Sequence, residues 1–312
     1  MTPPIEPPSG RQVELRYGAL RAVVVEVGGG LRALSHDDDW QVLDGYPVER
    51  MADGGRGQPL LPWPNRLADG RYEFQGEQMQ LPIDEVERHN ANHGLTRWRS
   101  WSVDAQTPSS ARLGLTLRPL PGYPFALRLE IDYVLDENGL TVRTTASNIG
   151  GRALPFGAGQ HPYLSVATPR IDAATFQLAA DSRLELDPER RLPTGRWLAN
   201  AATAYDFRQA RRIGDLLLDE CFADLPRASD GRVWARLTDP TSGRGVALWA
   251  AEPYRYLQVF SGDTLAPERR RRGLAIEPMT CPPNAFRSGT DVIVLQPGQA
   301  MTLEWGLTLT IP

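Results

Sequence analysis

The segment AGQHPYL, residues 158–164, sets His161, one of only four histidines in the chain, between a glutamine and a Pro-Tyr pair. With a reference pKa of about 6.5, an imidazole takes up or releases a proton near neutral pH. A residue before proline is held near extended geometry, so His161 is expected to end a turn and begin a strand. A second group suited to proton transfer is Glu277 in GLAIEPMTCPPNAF (273–286), where a carboxylate closes an apolar run just before a proline. Burial at a strand end displaces such a pKa. Together the two types are what general acid–base chemistry uses. Each also has a structural reading, His161 as a hydrogen-bonded core imidazole and Glu277 as a turn cap.

Three other segments carry polar groups in bland surroundings. In LLPWPNRLADGRYEFQGEQMQLP (60–82), Pro62 and Pro64 bracket Trp63 and stiffen the loop that carries Asn65 and Arg66. The planar guanidinium of Arg66 suits vicinal hydroxyls or a carboxylate, and could equally pair with a buried acid. In HNANHGLTRW (89–98), His89 and His93 stand four apart, which on a helix would place two metal ligands on one face. Asn90, Asn92 and Gly94 indicate a loop instead, and no Glu fills the H-E-x-x-H slot, so no metal site is expected. The run PERRRRG (267–273), containing Arg269–Arg272, could hold an anion, but a solvated loop is the commoner fate of such a run.

The elements that must position these residues are strands. Alternation is clearest in residues 125–146, where Leu127, Leu129, Ile131, Tyr133 and Leu135 point one way before DENG turns the chain back. Similar runs occupy 20–27, 111–120, 232–240, 245–250 and 256–262, and the C-terminus repeats the hairpin pattern, with two strands around QPGQ. Only residues 208–222 look helix-compatible, weakened by Gly214. With 29 glycines and 27 prolines and no strand–helix alternation, the chain reads as all-β, a large antiparallel sandwich. A Pro-rich flexible N-terminus (1–15) is expected to precede a single domain (16–312).

The order PWPNR, NHG, GQHPY, EPMTCPPNAF along such a chain resembles the aldose 1-epimerase (galactose mutarotase-like) family, from about residue 20 to the C-terminus. The resemblance implies a β-supersandwich with a sugar site on one open sheet face, and neither metal nor organic cofactor. It implies Glu277 as general base, His161 as general acid, and His93 as the second histidine on the ring-oxygen side. Arg66, Asp219 of LLDECF and Asn65 are implied as substrate-binding residues. Leu95 after Gly94 departs from the family pattern, which often has a second glycine there. Trp63, Tyr163 and Trp249 offer apolar faces to a sugar, though core packing is their ordinary role.

The implied reaction interconverts α and β anomers of an aldose: the C1 hydroxyl loses a proton while the ring oxygen gains one, from groups expected on opposite sides of the C1–O5 unit. Mutarotation of a phosphorylated or sulfonated sugar, or sugar binding without catalysis, are the alternatives. A net charge of −4 gives no reason to expect nucleic acid or an anionic membrane as partner. The N-terminus lacks a secretory pattern, no stretch has the ~20 apolar residues of a span, and Cys221 and Cys281 form no disulfide framework. A cytoplasmic monomer or homodimer acting on a small-molecule sugar is expected.

Overall fold

The alternation in residues 125–146 is realised as a hairpin in which Leu127–Asp136 pairs with Gly139–Asn148 and Asp136 lies opposite Gly139. Leu127, Leu129, Ile131, Tyr133 and Leu135 are all buried, so replacing one of these leucines with Ala should cost about 2–5 kcal/mol. The structure, a computed structural model, describes residues 6–37 and 39–312. Residues 1–5 of the expected N-terminal tail lie outside the described residues. The folded sheet nevertheless starts before residue 16: Gln12–Tyr17 pairs with Leu20–Val25, and Val13 and Leu15 enter the core.

Two large antiparallel sheets carry the architecture. One has nine strands, and at its centre Ala300–Thr310 lies between Gly139–Asn148 and Gly245–Ala250. The other has eight, running from Pro193–Ala199 through Ser182–Leu186, Asp219–Ala223, Tyr256–Phe260 and Leu274–Met279 to Gly159–Gln160 and Pro59–Leu60. Tyr163–Leu164 also pairs with Leu274–Met279. A four-stranded sheet opens the chain. All three contribute to one buried cluster reaching from Val13 to Leu307. Among the described residues the single α-helix is Ala285–Ser288, so no helix is long and apolar enough to cross a membrane.

Two expectations need correction. Residues 208–222 form no helix: Gly214 adopts a left-handed φ of 61°, Arg211–Arg212 and Asp219–Ala223 are strands, and Ile213, Leu218 and Phe222 are buried. Sheet pairing overrides the local helical preference there. At the C-terminus QPGQ does turn the chain, but the flanking strands do not pair with each other. Ile293–Leu295 joins Leu154–Phe156, whereas Ala300–Thr310 enters the large sheet.

Candidate active site

Period-two geometry gives the eight-stranded sheet a chemical face. In Leu274–Met279, Leu274 and Ile276 enter the main core, so Ala275, Glu277 and Met279 point the other way. Register then places Gln258 beside Glu277 and Cys221 beside Gln258, with Asp219 beside Phe260. Asp219, Gln258 and Glu277 therefore share one face, and all three line a cavity of about 420 Å³.

His161 reaches this face from the break between Gly159–Gln160 and Tyr163–Leu164, two short strands that both pair with the Glu277 strand. The extended geometry expected before Pro162 is thus used to interrupt one edge rather than to start a strand at His161. The backbone is fixed at both ends: His161 N–H donates to Gln58 O (3.1 Å), and Gly57 N–H donates to His161 O (2.8 Å). Its imidazole stacks on the Tyr163 ring, with centroids 4.9 Å apart and planes 12° from parallel. Tyr163 in turn carries the Arg56 guanidinium 4.1 Å from its centroid, and Arg56 is ion-paired with buried Asp44 at 2.7 Å. Gly55 makes room for the ring: with a φ of 72°, a Cβ there would lie 2.6 Å from His161 Cδ2.

His161 Nε2 and Glu277 Oε1 are 3.2 Å apart, with side chains 5% and 2% exposed. The two groups stand side by side, within hydrogen-bond reach of one another. Burial governs their protonation. It pushes the His161 pKa down to about 3, assisted by the Arg56 charge. Glu277 is raised well above the carboxylate range by burial and then by the negative charge of Asp219, partly offset by Arg66. Both shifts favour the uncharged forms, so the pair holds one proton, on the carboxyl.

His93 belongs to the same group. One ring nitrogen of each histidine and one Glu277 oxygen lie within 4.8 Å of one another. His93 and Asn65, both left-handed with φ of 59° and 57°, clasp each other. Asn65 N–H donates to His93 Nδ1 (3.1 Å), and His93 N–H donates to Asn65 O (3.0 Å). Burial, Arg97 and His161 hold His93 neutral, well below its ordinary pKa. With Nδ1 accepting, the neutral ring carries its proton on Nε2. Gly94, at φ 75°, bridges to Leu61 so closely that a Cβ would lie 2.0 Å from Leu61 O. Leu95, the departure from the family pattern, packs against the core.

Arg66 lines the cavity and also pairs with an acid: its Nε and Nη2 grip Glu85 at 2.9–3.0 Å, and Asn90 Nδ2 donates to the same carboxylate at 2.8 Å. Asp219 accepts from Gln258 Nε2 (2.6 Å) and Arg191 Nε (3.0 Å). Asn65 is buried and spends its Oδ1 on the Arg66 N–H at 2.8 Å.

All six residues singled out from the sequence, His93, His161, Glu277, Arg66, Asn65 and Asp219, therefore meet at one cavity. His89 does not: its side chain is 69% exposed and bonds Asp69. Trp63, Tyr163 and Trp249 are buried; the aromatic groups at the cavity are Trp98, 61% exposed, and Phe260. Sequence reasoning missed these two, along with Gln258, Glu85, Arg88 and Arg97. Arg97 and Trp98 follow His93-Gly94 in LTRW, and that adjacency was a usable signal. Gln258 becomes visible only through strand register.

The Arg269–Arg272 run stays out of this cavity; Arg270 and Arg272 are exposed, whereas Arg269 and Arg271 are drawn into ion pairs. Arg271 is bound to Asp172 and Asp263, and Arg269 to Gly45 O and Asp44.

Residues 11–308 match the family model for aldose 1-epimerase. The chain is 38% identical over 301 residues to the Escherichia coli K12 protein YihR, covering 96% of this chain and 93% of that one. It is 29% identical to a maltose epimerase of Levilactobacillus brevis over 75% of this chain and 73% of that one. Among solved structures, a GalM/aldose epimerase homologue from C. elegans superposes with a TM-score of 0.87 at 18% identity, over 96% of this chain and 99% of that one.

Proposed function

The chain belongs to the aldose 1-epimerase family and is an isomerase, and from that premise we propose that it is a mutarotase, opening an aldose ring and closing it on the other face within one domain. The observation that carries this reading is the buried His161–Glu277 pair at 3.2 Å. Ring opening removes a proton from O1 and adds one to O5. Both oxygens are bonded to C1, so neighbouring catalytic groups suit them better than opposed ones. With the single proton on His161, Glu277 accepts the O1 proton while His161 protonates O5, and the pair ends with its proton on Glu277. After rotation about C1–C2, the reverse exchange closes the ring on either face. Burial favours the carboxyl-protonated arrangement in the free site, and a polar sugar replacing water there offsets the cost of the charged one.

His93, a donor at Nε2, serves the ring-oxygen side. Arg66 and Asp219 bind hydroxyls from positions fixed by Glu85, Gln258 and Arg191. Asn65 acts through the clasp that orients His93. Trp98 and Phe260 supply apolar surface to the ring's C–H groups.

A specific observation favours a sugar with an anionic substituent. Arg66, Arg88 and Arg97 all line the cavity, where Glu85, Glu87 and Asp84 pair with them. The buried Nε of Arg88 and of Arg97 has no partner among the described residues. A phosphorylated or sulfonated aldose would supply acceptors to these donors.

Polarimetry of freshly dissolved α-D-galactose, α-D-glucose and glucose 6-phosphate, with and without the protein in a weakly catalytic buffer, tests both statements. Faster relaxation to the unchanged final rotation is expected, with the anionic sugar favoured in kcat/KM. No acceleration of any of a panel of neutral and anionic aldoses would overturn the mutarotase reading. Equal kcat/KM for glucose and its phosphate would overturn the anionic preference alone.

A further inference from the structure

Near Tyr163, beside the catalytic cavity that Asp53 lines, the chain gathers more positive than negative charge. Four guanidiniums, Arg32, Arg56, Arg269 and Arg272, meet two carboxylates, Asp44 and Asp53. Arg56 lies 2.7 Å from Asp44 and 3.1 Å from Asp53. Arg269 lies 3.4 Å from Asp44 and 4.0 Å from Asp53, and Arg272 lies 3.6 Å from Asp44. Arg32 bonds neutral acceptors, Gln12 Oε1 at 2.7 Å and the Tyr46 carbonyl at 3.0 Å. Two positive charges remain uncompensated in this group. Arg269, with a side chain only 12% exposed, feels the crowding: burial and then the Arg56 charge weaken its hold on its proton.

Three of these arginines border one hollow of about 390 Å³, together with Asp44, Ser165 and Thr168. None of its lining residues lines the catalytic cavity. The chemistry it presents is fork-shaped N–H donors, two hydroxyls and an excess of positive charge, which fits a tetrahedral oxyanion better than a neutral ligand. The run PERRRRG finds its use here: Arg269 and Arg272 come from it, whereas Arg271 is spent on Asp172 and Asp263.

We propose that this hollow binds a phosphate group, as inorganic phosphate or as a small phosphomonoester, through Arg32, Arg269 and Arg272. A dianion matches the excess of two charges and relieves Asp44 of part of its duty to three arginines. Asp44 is also the ion-pair partner of Arg56 beneath Tyr163 and His161, so the hollow and the catalytic histidine share one carboxylate. The binding claim stands whether or not the protein is a mutarotase.

Isothermal titration of the whole protein with inorganic phosphate and, separately, glycerol 3-phosphate, at constant ionic strength, tests the site. Saturable one-to-one binding is expected for at least one of them, and the tighter of the two identifies the source of the phosphate group. Arg32→Gln and Arg272→Gln should each weaken binding about tenfold or more, as loss of a charge-assisted contact does. Arg97→Gln, which alters the catalytic cavity, should leave it unchanged. Arg272 is half exposed, and Arg32 makes no ion pair among the described residues, so neither substitution leaves a buried carboxylate unpaired: Asp44 keeps Arg56 and Arg269. No saturable binding of either anion overturns the proposal. So does binding that survives Arg32→Gln/Arg272→Gln in a folded protein, or binding that Arg97→Gln abolishes.

Discussion

Glu277→Gln separates the chemistry of the carboxyl from its place in the fold. The amide keeps the shape of the side chain and removes both the proton and the charge. If Glu277 is the base, kcat should fall by about 10²–10⁴-fold, roughly 3–5 kcal/mol of barrier. Stability should move the other way. Glu277 is 2% exposed, its Oε2 has no partner among the described residues, and burial raises its pKa well above the usual value. Above about pH 4.5 the unfolded chain ionises this group while the folded protein keeps it protonated. The folded state then binds more protons, and stability falls as pH rises towards the folded pKa. The cost grows with the displacement, at about 1.4 kcal/mol for each tenfold change in the protonation equilibrium. Glutamine carries no such cost. Gln258, whose Oε1 also lacks a partner, is its register neighbour and a ready acceptor for the new N–H. The variant should therefore equal or exceed the parent in Tm at pH 8, by about 2–4 °C for each kcal/mol, and lose that advantage at pH 4.5. Polarimetry and calorimetry at the two pH values read both effects. A variant within tenfold of the parental rate, or one destabilised at pH 8 more than at pH 4.5, would refute the reasoning.

Gly55→Ala should drive a methyl group against His161 Cδ2 and strain a left-handed residue, lowering kcat at least about tenfold while the protein stays folded; an unchanged rate would mean the ring has room to move. Arg66→Met leaves Glu85 with Arg88 and Asn90 only, so about 1–3 kcal/mol of stability should be lost along with substrate affinity. Adding Glu85→Gln should restore stability but not KM, which denaturant melts and kinetics would separate. Exhaustive chelation should leave the mutarotation rate unchanged, since His93, His161 and Glu277 are read as proton-handling groups; loss of activity restored by a divalent ion would reassign that cluster as a metal site.

Much of the fold was legible because its signal is local. The alternation of Leu127 through Leu135 and the DENG turn become a hairpin of two ten-residue strands. Where local and non-local preferences conflict, the sequence misleads. Residues 208–222 have helical composition, yet Phe222 and Cys221 are claimed by neighbouring strands. QPGQ turns the chain as expected, but which strand each arm joins depends on partners more than a hundred residues away. The site shows the same division. His161, His93, Arg66 and Glu277 stand in short, distinctive contexts. Gln258, Glu85 and Arg88 acquire meaning only when distant segments are brought together, and Tyr163 proved to be a platform beneath His161 rather than a sugar-facing ring.

A pair of buried groups sharing one proton also decides where catalytic hydrogen comes from. In the proposed reaction, the proton taken from O1 and the proton given to O5 are exchanged within the same two side chains, and ring closure restores the starting inventory. No proton need be borrowed from water or buffer during a turnover, and at 5% and 2% side-chain exposure the pair is screened from both. Uncatalysed mutarotation depends on whatever acids and bases the medium contains. On this reading the enzyme carries its own, and its rate is insulated from the buffering of its surroundings.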